Sequence, residues 1–201
     1  MAELTDRREL NDRLDLIENM IAEGRRATEQ WGWNFVLWGV AYYVAIAWTE
    51  WGHATIAWPV TMTVAGVITG IVARRKSFGP STTVGRSMAA IWRSTGISLF
   101  IFGLFTSISG HGGSRVIIAG VAIMLGMANA ASSSILRWKV QFACAVVWWA
   151  AGVAMLFSSV EQSWVIFLVA IFLCQIVFGV YMMICEGRGQ RLGGQAGVSH
   201  A

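Results

Sequence analysis

Three groups of side chains in this sequence have types that do chemistry. Glu50, His53, His111 and Glu161 are titratable and can ligate a metal, so their convergence would make a metal or pH-sensing site. Their spacing does not demand it, because no His/Cys/Asp/Glu pattern of metal-site type joins them, and as separate exposed residues they need no ligand. Trp38, Tyr42, Trp148 and Trp149 are a second group. Indole and phenol rings gathered together form a cage for a cationic or flat hydrophobic ligand, and at helical spacing they serve equally as core packing. Asn129 and Gln175 are the third: amides inside apolar segments that contact a solute or bond to a neighbouring helix.

Enzyme signatures are absent from the sequence. It has no Gly-x-Ser-x-Gly elbow, no His-Glu-x-x-His, no phosphate-binding loop and no carboxylate pair within an apolar run. The tail glycines Gly187, Gly189, Gly193 and Gly194 follow no strand, so a dinucleotide site is not expected. Cys144, Cys174 and Cys185 are odd in number, lack Cys-x-x-Cys spacing and read as small buried hydrophobes. The expectation is a protein without catalytic activity, cofactor or bound metal.

The elements that must position these groups follow from composition. Of 201 residues, 56% are hydrophobic with 22 glycines besides, and only 13% are charged. Half of the 26 charges crowd into the first 30 positions. A soluble domain of this size cannot hide so much apolar surface. Six apolar runs have the roughly 17–25 residues that span a hydrocarbon core: Trp31–Thr49, Ala54–Ala73, Met88–Ser109, Val116–Leu136, Val140–Ser159 and Ser163–Cys185. Their length and lack of alternation exclude the strands of a membrane barrel. The predicted fold is an all-α membrane protein of six transmembrane helices in three hairpins, each hairpin closed by a short outer turn. Residues 1–30 precede it as a cytoplasmic amphipathic helix, 31–185 form the bundle, and 186–201 are a flexible cytoplasmic tail.

Fourteen of the 15 Lys and Arg residues fall on one side of this arrangement and only Arg115 on the other. The positive-inside bias then puts both termini in the cytoplasm of a bacterial-type inner membrane. Trp31, Trp33, Trp92 and Trp138 fall at the inner boundary, and Trp48, Trp51 and Trp164 at the outer one, as interfacial anchors. A nucleic-acid partner is not expected, because the basic residues flank apolar runs instead of forming one patch.

Residues 5–28 place Leu10, Leu14, Ile17 and Ile21 on one helical stripe, with charged pairs on the other side. Two heptads are too few for an isolated coiled coil, so the stripe calls for an apolar partner: the same helix in another subunit, the cytoplasmic face of the bundle, or the membrane surface, the last disfavoured by the segment's acidic excess. Gly66 and Gly70 form a Gly-xxx-Gly and Ala122, Gly126 and Ala130 a similar ridge, both expected to pack inside one subunit. Pro59 implies a second helix that either bends there or extends inward through Arg74. No run carries Asp, Glu, Lys or His near its middle, which disfavours a proton-coupled carrier. Two functions fit: a regulatory or scaffold subunit that recruits a partner or self-associates through its N-terminal helix, and a small channel or carrier for an uncharged or cationic hydrophobic solute.

Overall fold

The structure, a computed structural model, describes residues 13–20, 22, 31–52, 56–75, 83–109 and 113–187. Among these residues there is no strand. Residues 13–20 are helical. Six longer helices follow: α1 Gly32–Gly52, α2 Ala57–Arg75, α3 Thr83–Ser109, α4 Ser114–Leu136, α5 Lys139–Phe157 and α6 Val160–Gly187. Each falls on one of the six apolar runs.

Four of them are long and apolar enough to cross a membrane: α3 through Val84–Thr106, and α4, α5 and α6 along their whole length. The apolar part of α2 covers Ala57–Val72, about 24 Å of helix at 1.5 Å per residue and short of a ~30 Å core. Helix α1 has 21 residues, but Asn34, Trp38, Tyr42, Tyr43 and Glu50 hold its hydropathy down. Pro59 sits in the first turn of α2, where its missing N–H costs no helical bond, and the helix gains length by running through Arg74 to Arg75.

The core is built from α1, α4, α5 and α6. Helices α4 and α5 are the closest-packed pair, although the three-hairpin expectation assigns them to different hairpins. Their turn is two residues long. Arg137 takes a left-handed φ of 49°, and the N–H of Trp138 donates to Ser133 O at 3.1 Å, closing α4 in a Schellman-type end. Beyond the turn, Gly126 lies under the Trp149 indole, and a Cβ on Gly152 would meet Ile123 at 2.8 Å and Ala119 O at 3.4 Å. The predicted small-residue ridge through Ala122 and Gly126 is therefore used within the chain.

The ridge in α2 is not. Among the described residues, nothing outside α2's own nearby backbone lies within 4 Å of where a Cβ on Gly66 or Gly70 would stand. The expectation that this Gly-xxx-Gly packs inside the subunit is corrected, because α2 presents those glycines away from α1, the helix it packs on. Helix α3 is peripheral too. Its exposed face carries Ile97, Phe100, Ile101, Leu104, Phe105 and Ile108, and its Trp92 reaches Phe35 of α1 edge to face at 5.1 Å.

Helix α6 opens with a capping box at Ser159, whose hydroxyl accepts from Gln162 N while the Gln162 side chain accepts from Ser159 N. It is α-helical to Ile171 and then widens into a π turn, Phe172–Val177, before resuming. At the start of α1, Gly32 faces Gly179 of α6, an approach that only glycines permit.

Candidate functional site

The centre of the four-helix core is aromatic. Phe167 of α6 is fully buried and gathers three rings around it: Tyr42 of α1 at 5.9 Å, Trp148 of α5 at 6.0 Å and Trp164 one turn back at 6.5 Å. Tyr42 in turn meets Trp58 of α2 at 6.0 Å. The α1–α6 seam is tied beside this cluster by Tyr43, whose hydroxyl donates to Leu168 O at 2.8 Å. Edge-on and tilted pairs of this kind contribute roughly 0.5–1.5 kcal/mol each beyond area burial.

Of the four aromatic residues singled out in the sequence, the structure brings together two. Tyr42 and Trp148 share Phe167. Trp149, 36% exposed, points to the other side of α5 and covers Gly126. Trp38 is half-buried and takes no part in these ring contacts. The hub residue, Phe167, is absent from the sequence-level candidates, since one Phe in an apolar run carries no signal of its own.

A second feature is polar. Asn129 and Ser132 of α4, Gln141 of α5 and Gln175 of α6 are all buried. The Asn129 amide nitrogen donates to Leu125 O at 2.9 Å within its own helix. Asn129 Oδ1, Ser132 Oγ, both amide atoms of Gln141, Gln175 Oε1 and Trp148 Nε1 have no partner among the described residues. Burying such groups without a partner costs about 1–3 kcal/mol apiece by mutational measures. Gln141, Cys144 and Trp148 recur along the buried face of α5. Across from it Cys174, next to Gln175 in the π turn, donates its thiol to Cys144 O at 3.6 Å. Helix α1 passes this turn at Gly39, where a Cβ would stand 3.0 Å from that of Gln175. Gln141 and Ser132 escape the sequence reading because both lie within a turn or two of the basic boundary at Arg137 and Lys139, where a polar residue looks solvated.

The chain matches no protein-family model, and no curated protein or solved structure is similar to it.

Among the outer-turn candidates, Glu50 and Glu161 are exposed, while His53 and His111 lie outside the described residues. Among the described residues no three His, Cys, Asp or Glu side chains group as a metal site. Glu161 borders a shallow depression of about 610 Å³ with Ser158, Gln162, Val165 and Ile166. Nearby, Arg115 donates to Ser158 O at 2.7 Å, joining the start of α4 to the α5–α6 turn.

The tryptophans divide into two sets. Trp51 is 87% exposed. Trp138 is buried against Phe178 at 5.6 Å and Tyr181 at 6.4 Å. Its expected role as a boundary anchor is corrected to a core role, because the two-residue turn folds it back under α6.

On the N-terminal segment, Leu14 and Ile17 are each 51% exposed and Leu16 is 61% exposed. Leu10 and Ile21 lie outside the described residues.

Proposed function

We propose that this chain is a non-enzymatic regulatory or scaffold subunit of a bacterial-type inner membrane, recruiting a partner or a second copy through its N-terminal helix. In this reading all six helices span the bilayer as three consecutive hairpins, and both termini are cytoplasmic, following the fourteen-to-one bias of basic residues. The observation that carries it is the exposure of Leu14, Leu16 and Ile17 on one short helix ahead of the bundle. Apolar side chains held in water at helical spacing gain free energy only when something covers them, at about 25 cal/mol per Å². The tightly filled aromatic centre, with Phe167 and Trp148 fully buried, suits an anchor better than a conduit.

The test is co-purification from native membranes of the full chain, the form lacking residues 1–28, and the double variant Leu14→Asp, Ile17→Asp. Loss of the associated protein or of the oligomer in both altered forms is expected. Unchanged assembly overturns the reading.

A second reading has its own support. Gln141, Ser132, Asn129 and Gln175 bury polar atoms that have no partner among the described residues, and Gln175 lies in a π turn, a feature that recurs at functional sites. Such a core suits a carrier or channel for an uncharged or cationic hydrophobic solute, with Tyr42 and Trp148 flanking the path. Solute flux in vesicles that falls on Gln175→Leu would favour it.

A further inference from the structure

Two of the three cysteines meet in the core, and neither functional reading uses them. Cys144 lies on the buried face of α5, and Cys174 lies in the π turn of α6. The Cys174 thiol donates to Cys144 O at 3.6 Å, so its sulfur stands against Cys144 across the α5–α6 seam. Each thiol is also the other's side-chain hydrogen-bond partner, which makes the two sulfurs neighbours. They are 30 positions apart in the chain, so the pairing is a product of the fold. Cys185, half-buried, is outside this pair. It stands three turns beyond Cys174 on the same helix, about 16 Å along the axis at roughly 1.5 Å per residue and out of range for a disulfide.

The thiolate is the reactive form of cysteine, and it forms where a donor or a positive charge can meet it. Gln141 precedes Cys144 by one turn on the same buried face, at the spacing where side chains on a helix are neighbours. Its amide nitrogen is buried and has no partner among the described residues, so it is a donor for a thiolate at Cys144. Access differs between the two sulfurs. Cys144 is 9% exposed and Cys174 1%, so Cys144 is the one that a small oxidant reaches. The remaining approach that a disulfide requires falls to Cys174, since the π turn is the part of α6 outside the regular α-helical ladder.

We propose that Cys144 and Cys174 are a redox-sensitive pair that hydrogen peroxide converts to an intramolecular disulfide, pinning α5 to the π turn of α6. Peroxide is small and uncharged, so it enters apolar surroundings that exclude ionic oxidants. In the first step the Cys144 sulfur takes one oxygen from peroxide. The O–O bond breaks, water leaves, and Cys144 becomes a sulfenic acid. In the second step the Cys174 sulfur attacks the Cys144 sulfur. The S–S bond forms, the S–O bond breaks, and the departing hydroxide takes the Cys174 proton as a second water. Together the two thiols lose two electrons, and one peroxide gains them. A dithiol reverses the change, so in a reducing compartment the bond belongs to the sensing class and not to the structural one.

The test uses the full chain in mild detergent, reduced, freed of reductant and exposed to hydrogen peroxide. A parallel tube of free cysteine reports the dose. Peroxide is removed with catalase, the chain is unfolded in iodoacetamide, and its peptides are mapped by mass. The Cys144 and Cys174 peptides are expected joined to each other, with Cys185 outside the link, and a dithiol should separate them. The oxidised chain should unfold at a higher temperature than the reduced chain. Cys174→Ala should lose both the link and this shift, and Cys185→Ser should keep both. Recovery of Cys144 and Cys174 as alkylated thiols, at a dose that oxidises the free cysteine, overturns the proposal. A link that uses Cys185 or joins two chains overturns it as well. The link is read on the unaltered chain, so a variant that fails to fold leaves that result standing. Removing residues 1–28 should not change the link, which separates its outcome from that of the scaffold reading.

Discussion

Gly32 of α1 and Gly179 of α6 approach so closely that a Cβ placed on either would stand 2.8 Å from the carbonyl oxygen of the other. The contact is reciprocal and backbone to backbone, so no side chain can swing aside to admit a methyl group. Gly179→Ala should force the two helices apart and cost about 1–3 kcal/mol. The loss is measured by unfolding in mixed micelles, and Gly32→Ala should match it. An unchanged midpoint for both would mean that α1 does not cross α6 here.

Gly66→Ala and Gly70→Ala should behave in the opposite way. Open space surrounds both positions, so the added methyl meets nothing and improves helix propensity by up to about 1 kcal/mol. Stability of the isolated chain should be equal or higher. A clear loss would reveal a contact across this face from another molecule.

Phe167→Ala removes the ring that Tyr42, Trp148 and Trp164 share. A loss of about 3–5 kcal/mol is expected for a large core side chain. Near-ultraviolet circular dichroism should lose intensity as the two indoles and the phenol lose their fixed surroundings. Trp149→Ala, on a partly exposed residue, should cost less.

Gln141→Met separates the two functional readings by sign. Methionine is of nearly the same length and needs no hydrogen-bond partner, so replacing an amide with no partner among the described residues should raise stability, by up to about 1–3 kcal/mol. A fall in the unfolding midpoint would show the amide bonded to water or solute in the membrane. That result would favour the carrier reading.

The sequence makes the helices legible because a run of about twenty apolar residues has one physical use. Their partners are much less so. Trp138 and Trp51 both sit beside a charged residue at the end of an apolar run, yet one is buried and the other 87% exposed. The difference lies in a turn geometry that composition does not encode. The Gly-xxx-Gly of α2 and the ridge of α4 likewise have the same local pattern and opposite fates, since close approach depends on what the neighbouring helix brings. Asn129 and Gln175 stand out because an amide in an apolar run is conspicuous. Gln141 does not, being two residues from Lys139, where hydrophilic character is unremarkable. Tyr42 and Trp148 are recognisable as large rings, but the Phe167 that joins them is one of ten phenylalanines.

The π turn in α6 also acts as a phase correction. From Ser163 to Met182, both buried, an ordinary helix of 3.6 residues per turn would overshoot five turns by about 100°. Met182 would then face away from the core. The extra residue in Phe172–Val177 absorbs that angle, so Phe178, Gly179 and Met182 stay in line with Phe167 and Ser163. The chain length at this point is therefore negotiable: removing Leu173 should collapse the turn to an α-helix and leave both faces of α6 aligned. Removing Val165, in the regular part, should rotate the start of α6 by about a quarter turn relative to the rest and disrupt folding. The widened turn that carries Gln175 thus keeps the two halves of the buried seam of α6 in register.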